Sequence, residues 1–338
     1  MQFQLPIQIK SPERKLNYRD KILLAGSCFT EHIGNSLSDL KYTALQNPNG
    51  ILFDPASVCR SLISYIQNKQ YKAADLFLLN EIWISWQHHS RFSNINKEEC
   101  LKNINQSQNT AHEFLKKTDW IIITLGSSFS YRLTNLTPSP SPEGEGSGVA
   151  NCHRAPANWF SKHLMEIEET ISQLENCCLQ LREFNPKLNI VFTVSPVRHV
   201  RDGVIENNRS KARLLESVHH LVNKYETLHY FPAYEIVIDV LRDYRFYDID
   251  LIHPNYMATE FVLEKFAETF IDDESTKIMI EVKKIITARK HKAFQPATHA
   301  HKEFLRLHAD KTIALMNQYP LLDLKEELRY FISSAETL

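Results

Sequence analysis

Lys21-Ile22-Leu23-Leu24-Ala25-Gly26-Ser27-Cys28-Phe29 is the stretch on which the reading of the fold turns. Its apolar run, residues 22–25, is short and shows no polar alternation, as expected of a strand buried on both faces. A glycine ends the run, and a serine follows where a strand hands over to a helix. Two further runs, Trp120–Leu125 and 188–194, are rich in β-branched residues and read the same way. Helical spacing lies between and after them. Phe160, Leu164, Ile167, Ile171, Leu174, Cys178 and Leu181 form one apolar stripe, and Leu214, Leu215, Val218, Leu221, Val222 and Tyr225 form a second. Strands alternating with helices imply right-handed crossovers and a mostly parallel sheet, hence an α/β fold.

The bulk properties narrow the function classes. A chain of 338 residues with 43% hydrophobic content can bury a large core, as one large domain or a domain with an appendage. A formal net charge of −1 supplies no basic field, so nucleic acid is not the expected partner. No apolar run approaches the roughly 20 residues that span a bilayer, so a membrane is not expected either. Residues 1–15 are polar, interrupted by Pro6 and Pro12, and lack the basic start and apolar stretch of a signal peptide. A cytoplasmic location is the expectation. Six scattered cysteines with no C-x-x-C pair argue against a zinc ribbon and for free thiols, with Cys177 and Cys178 as packing residues. Residues 135–148 are Pro/Ser/Gly/Glu-rich and are expected to form a mobile surface insertion. Beyond about Asp272 the chain turns charged and helical. The expected organisation is a domain over 1–271 and a helical extension over 272–338. The aromatic-dense Trp83-Ile84-Ser85-Trp86 suits a short strand or a pocket wall.

An open parallel sheet binds its ligands outside the carboxyl ends of its strands. Four polar clusters fall there: Gly26-Ser27-Cys28, Gly126-Ser127-Ser128, Ser195-Pro196 with Arg198 and His199, and Asp250-Leu251-Ile252-His253-Pro254. A serine hydroxyl attacks a carbonyl only when a base takes its proton, and the base needs an orienting partner. Asp250 and His253, three apart, can supply both on one turn. A serine just past a strand also aims its own N–H toward a substrate oxyanion.

These clusters carry a family resemblance. Gly26-Ser27-Cys28-Phe29 is nearly the name of the GSCFA family, with Thr30 in place of its alanine. Eight further segments follow in family order, from about Ile22 to about Phe270. They are Asn47-Pro48-Asn49-Gly50-Ile51, His88-His89-Ser90-Arg91-Phe92-Ser93, Thr124-Leu125-Gly126-Ser127-Ser128 and Val149-Ala150-Asn151-Cys152-His153. After these come Thr193-Val194-Ser195-Pro196-Val197-Arg198-His199, Ser210-Lys211-Ala212 and Tyr230-Phe231-Pro232-Ala233-Tyr234-Glu235, and the Asp250–Pro254 cluster closes the series. The family is grouped with the SGNH (GDSL-like) hydrolases. The resemblance implies a three-layer α/β/α fold of the SGNH/flavodoxin-like kind, Ser27 as nucleophile, and Asp250 with His253 as its orienter and base. It also implies an oxyanion hole built from the Ser27 and Gly50 backbones and a third-block asparagine. That block departs here, with Ser128 where Gly-x-Asn is usual; Ser128, Asn151 or His89 is left to fill the gap.

Each residue also has a plainer reading. Ser27 can be the N-cap of a helix over 30–40, and Cys28, beside it, a packing residue facing the core. Asp250 and His253 can be a surface pair before a helix, with Asp248 a rival orienter. His88, His89 and His153 lack a ligand cluster, so no metal site is expected. His89, Arg91 and Asn151 are expected to line the substrate pocket, with Gly126, Arg132 and His199 as further contacts. Arg198 and His199 either pair with Asp202 and Glu206 or face an anionic substrate. The expected reaction is ester hydrolysis with no cofactor, on a small-molecule or carbohydrate ester. Acyl transfer with the same triad and a non-catalytic binding module are the alternatives.

Overall fold

The computed structural model describes residues 4–135, 137 and 147–336. Of the insertion expected over 135–148, residues 136 and 138–146 lie outside the described residues. The chain divides into two compact units. The first comprises Lys21–Gly34 and Ala44–Glu264 with the described residues up to Lys10; the second comprises Ser11–Asp20, Asn35–Thr43 and the chain from Lys265 onward.

The first unit is built on a five-stranded sheet. Its strands are β1 (Lys21–Gly26), β2 (Thr43–Gln46), β5 (Trp120–Leu125), β9 (Asn189–Val194) and β10 (Leu228–Tyr230), ordered β10-β9-β5-β1-β2. β1, β5, β9 and β10 run parallel, with Ile22 opposite Trp120, Trp120 opposite Asn189 and Ile190 opposite Leu228. This is the flavodoxin-like order, and its switch point falls between β1 and β5. Every residue of β5 is buried, and β1 and β9 are buried beyond their first residue. Leu23, Ala25, Ile121, Ile123, Ile190 and Phe192 pack with Leu62, Leu174, Leu181, Leu214 and Leu221 of the covering helices α2 (Pro55–Gln67), α4 (Ile167–Phe184) and α5 (Gly203–Lys224). Ile22, Leu24, Trp120, Ile122 and Val191 point to the other face and are buried as well. Burial on both faces removes the alternation that a half-exposed strand would show.

Two small antiparallel sheets flank the main one: β3 (Phe77–Leu79) with β4 (Ile82–Ile84), and β7 (Gly148–Val149), β6 (Phe129–Leu133) and β8 (Phe160–Leu164) in that order. The Trp83–Trp86 stretch therefore supplies a short strand, and Trp86 beyond it is buried. The long apolar stripe needs correction at its start. Phe160 and Leu164 belong to β8, paired across to Leu133 and Phe129, and α4 begins only at Ile167. A spacing of four satisfies a strand of period two as well as a helix, so the pattern could not separate them.

The second unit holds α8 (Asp273–Lys290), α9 (His299–Gln318) and α10 (Lys325–Glu336), matching the helical reading of the tail. It also recruits earlier segments. Leu16 bridges Ile271, Tyr18 stacks on Tyr42 at 4.1 Å, and buried Glu327 takes Lys41 at 2.9 Å and Arg289 at 2.7 Å. No helix among the described residues is long and apolar enough to cross a membrane.

Candidate active site

Gly26, the last residue of β1, has φ +143°, and a Cβ there would stand 2.1 Å from the Thr124 carbonyl oxygen. Only glycine allows β1 to run this close against β5. Its N–H donates to Asn47 Oδ1 at 2.9 Å. Ser27 follows, 2% exposed, with its N–H on the Thr124 carbonyl at 3.1 Å and its own carbonyl accepting the Thr30 N–H at 2.9 Å. That carbonyl opens α1 (Cys28–Asp39). Ser27 Oγ is buried and has no hydrogen-bond partner among the described residues. An N-capping serine spends its hydroxyl on a helix N–H; this one does not, so the plain cap reading fails. Leaving a buried hydroxyl unpaired costs about 1–3 kcal/mol, which calls for a reason. Cys28 is half-buried rather than part of the core, with its thiol pushed up chiefly by burial.

Across the switch point, the Gly126 N–H donates to the Phe53 carbonyl at 2.7 Å. A Cβ on Gly126 would lie 3.2 Å from Ser27 Cβ and 3.2 Å from His199 Nε2. Ser27 Cβ and the His199 ring thus both border this glycine. His199 also packs on the Phe53 ring at 5.0 Å. Burial first, and then the charge of Lys211, push its ring down to about 4, so it is neutral at pH 7.

The Asp250–His253 loop is closed by a bridge between Tyr247 and Pro254 and by the Asp248 N–H on the His253 carbonyl at 2.8 Å. Asp250 Oδ1 accepts the N–H groups of Ile252 at 2.9 Å and His253 at 3.0 Å, and Oδ2 sits 2.6 Å from His253 Nδ1. The His253 backbone N–H foremost, then its ring, hold the carboxyl down to about 2. The rival orienter, Asp248, shapes the turn through its backbone. Arg198 braces the loop, donating to the Leu251 carbonyl at 3.0 Å while lying 4.1 Å over the Tyr247 ring. It pairs with neither Asp202 nor Glu206; Lys162 takes the first and Arg209 the second. No direct hydrogen bond joins Ser27 Oγ to His253 or His199.

A cavity of about 790 Å³ opens beside this edge, walled by Phe53, Phe129, Tyr131 and Phe160, with His89, Ser127, Asn151 and His199 as polar lining. Arg132 is not brought there. On β6, Phe129 lines the cavity, Ser130 and Arg132 line a separate groove, and Tyr131 borders both; in the groove Arg132 meets Glu169 at 3.2 Å. Arg91 also lies elsewhere, donating to the Asn47 carbonyl and pairing with Glu31 at 3.3 Å.

Most of the expected oxyanion donors are already engaged. The Ser27 N–H is on Thr124, and the Gly50 N–H closes a turn on the Asn47 carbonyl at 2.7 Å. Ser128 donates its N–H to Ser210 Oγ at 2.7 Å and its hydroxyl to the Ser210 carbonyl at 3.1 Å. Two candidates remain: Asn151 lines the cavity with its Nδ2 3.4 Å from Ser90 Oγ, and His89 lines it with its Nδ1 accepting the Arg91 N–H at 3.3 Å.

The GSCFA family matches residues 21–266, from the start of β1 into the helix Tyr256–Phe270 that follows His253. The chain belongs to the GSCFA family. A second match, described as the C-terminal domain of GSCFA domain proteins, covers residues 282–336. Among curated proteins none matches the chain. A carbohydrate esterase of family 3 from Talaromyces cellulolyticus is similar at 9% identity, over 78% of this chain and 99% of that one, with a TM-score of 0.36. An acetyl xylan esterase from the rumen bacterium Butyrivibrio proteoclasticus is similar at 11% identity, over 76% of this chain and 64% of that one, with a TM-score of 0.37. Likeness of this extent carries no weight for the reaction, which rests on the GSCFA chain's own residues.

Asp54 stands in none of the quoted motifs, and Lys211 stands in Ser210-Lys211-Ala212 without an assigned role. Asp54, fully buried on the cavity wall, caps α2 by accepting the Ser57 N–H at 2.9 Å, and burial pushes its carboxyl up. Lys211 of α5, 1% exposed, donates through Nζ to the carbonyls of Gly126 and Ser195, each at 2.6 Å. The signal was present: Lys211 stands three and four residues before Leu214 and Leu215, on their apolar stripe.

Proposed function

We propose that the protein is an SGNH-type serine hydrolase that cleaves a small-molecule or carbohydrate ester. The observation that carries this is the buried, unpartnered Ser27 hydroxyl at the β1/β5 switch point. In the proposed reaction Ser27 Oγ attacks the ester carbonyl carbon while His253 Nε2 takes the hydroxyl proton, and Asp250 holds Nδ1. A carbon–oxygen bond to Ser27 forms. The tetrahedral oxyanion collapses, the bond to the alcohol breaks, and His253 returns the proton to the leaving oxygen. Water then repeats the sequence on the acyl-enzyme. Asn151 is the oxyanion donor on the cavity side, and binding re-aims the Ser27 N–H from the Thr124 carbonyl toward the substrate. His89, Gly126 and His199 contact the substrate, and the aromatic walls suit the apolar face of a sugar ring or a short acyl group.

The test is labelling by a fluorophosphonate, in which Ser27 Oγ bonds phosphorus and fluoride leaves. Wild-type protein labels at Ser27, and Ser27→Ala and His253→Ala do not. Absence of wild-type labelling refutes the covalent mechanism. A second reading, a non-catalytic binding module, is favoured by one observation: the Ser27, Gly50 and Ser128 N–H groups are all occupied. It predicts retained ester binding in Ser27→Ala and no wild-type turnover on a broad ester panel.

A further inference from the structure

Lys211 is a fully buried lysine with no carboxylate partner among the described residues, held on the carbonyls of Gly126, which borders Ser27, and Ser195. Its two carbonyl contacts lie at the exits of β5 and β9. Gly126 is bordered by Ser27 and His199, and Ser195 opens the segment that carries His199 and Arg198. An ammonium has three donors. Two are spent on these carbonyls, which leaves the charge unneutralised beside the turn. The groups facing it are the Cys28 thiol of α1, the His199 ring, and the Tyr234 ring of α6 (Ala233–Glu235), 5.9 Å from Nζ.

We propose that Lys211 is a positioning residue for the Ser27 chemistry. It pins the ends of β5 and β9 so that Gly126 stays against Ser27, and its charge favours the negative oxygen that develops there. This rests on Ser27 as nucleophile. A fixed positive charge in a water-poor site stabilises an oxyanion far more than the same charge in solvent. It also meets the shortage of free backbone donors around Ser27. Burial lowers the ammonium from its ordinary 10.5 to about 7, so the cation is lost through the neutral-to-alkaline range. Arginine keeps its charge throughout that range.

The experiment measures the rate of fluorophosphonate labelling at Ser27 in the full chain from pH 6 to 9, for wild type, Lys211→Met and Lys211→Arg, with melting temperatures alongside. The wild-type rate is expected to fall above about pH 7. Folded Lys211→Met should label about 100-fold more slowly, the order expected for a lost electrostatic stabiliser, with no alkaline fall. Lys211→Arg should restore most of the rate and hold it to pH 9. If Lys211→Met does not fold, the contrast between Lys211→Arg and wild type across pH still decides. Wild-type labelling with equal rates and pH profiles in the variants overturns this inference alone. A wild type that does not label at Ser27 overturns the nucleophile reading, and this inference with it.

Discussion

Asp250 grips His253 at two points, through the backbone N–H at 3.0 Å and through ring Nδ1 at 2.6 Å. One carboxylate therefore fixes both the position and the tautomer of the imidazole. Asp250→Asn keeps an acceptor for the backbone but can present an N–H to Nδ1. Labelling of Ser27 is expected to slow by about 10²–10⁴-fold, the scale of a lost orienter in a serine triad. The melting temperature should barely move, because the pair is solvent-exposed. The carboxyl is held down to about 2, so Asp250 stays ionised from pH 4 to 9 and gives up its support only as pH falls toward 2. Unchanged labelling in Asp250→Asn would dismiss the orienter role.

Much of this was legible in the sequence because strand exits leave sharp local marks. Gly26-Ser27 after an apolar run placed the serine, and Asp250-x-x-His253 placed a pair whose contact depends only on local chain geometry. What stayed illegible depends on long-range packing. Residue type marks a possible oxyanion donor, but whether the Gly50 N–H is free depends on the Asn47 turn. Ser128 turns to Ser210, 82 residues away. Arg132 stands close to Gly126–Ser128 in sequence, yet its side chain lies in the groove with Glu169. β2, β10 and the sheet around β6 are too short, or too mixed, to stand out from their surroundings.

Gly26→Ala tests the strand packing behind the serine. The substitution meets both a positive φ and a carbonyl oxygen 2.1 Å away. Backbone strain and overpacking together are expected to cost about 2–5 kcal/mol. Urea unfolding reads this directly, as a lower midpoint at unchanged slope. A midpoint within error of wild type would mean that the β1–β5 exit relaxes freely.

Asp54 tests the cavity wall. Its side chain caps α2 just before Pro55 by accepting the Ser57 N–H at 2.9 Å, and asparagine keeps an acceptor oxygen in that place. Asp54→Ala is expected to lose about 1–2 kcal/mol and Asp54→Asn about 0.5 kcal/mol or less. Equal losses in the two variants would show that the charge itself matters.

Lys211 makes a prediction for stability that runs opposite to the one for rate. Its ammonium falls from 10.5 in the ordinary case to about 7 in the fold. Below pH 7 the folded and unfolded chains both hold the proton. Between there and 10.5 the unfolded chain holds a proton that the folded chain has released, so folding gains stability as pH rises. Wild type should therefore strengthen relative to Lys211→Met above neutrality, by up to about 1.4 kcal/mol per pH unit. Urea midpoints of both proteins at pH 6, 7.5 and 9 measure the difference and cancel the other titrating groups. A difference that stays flat across that range would mean that the amine keeps its proton, and that burial does not weaken it. A rising difference together with a falling labelling rate would show one buried charge acting against stability and for reactivity at the same turn.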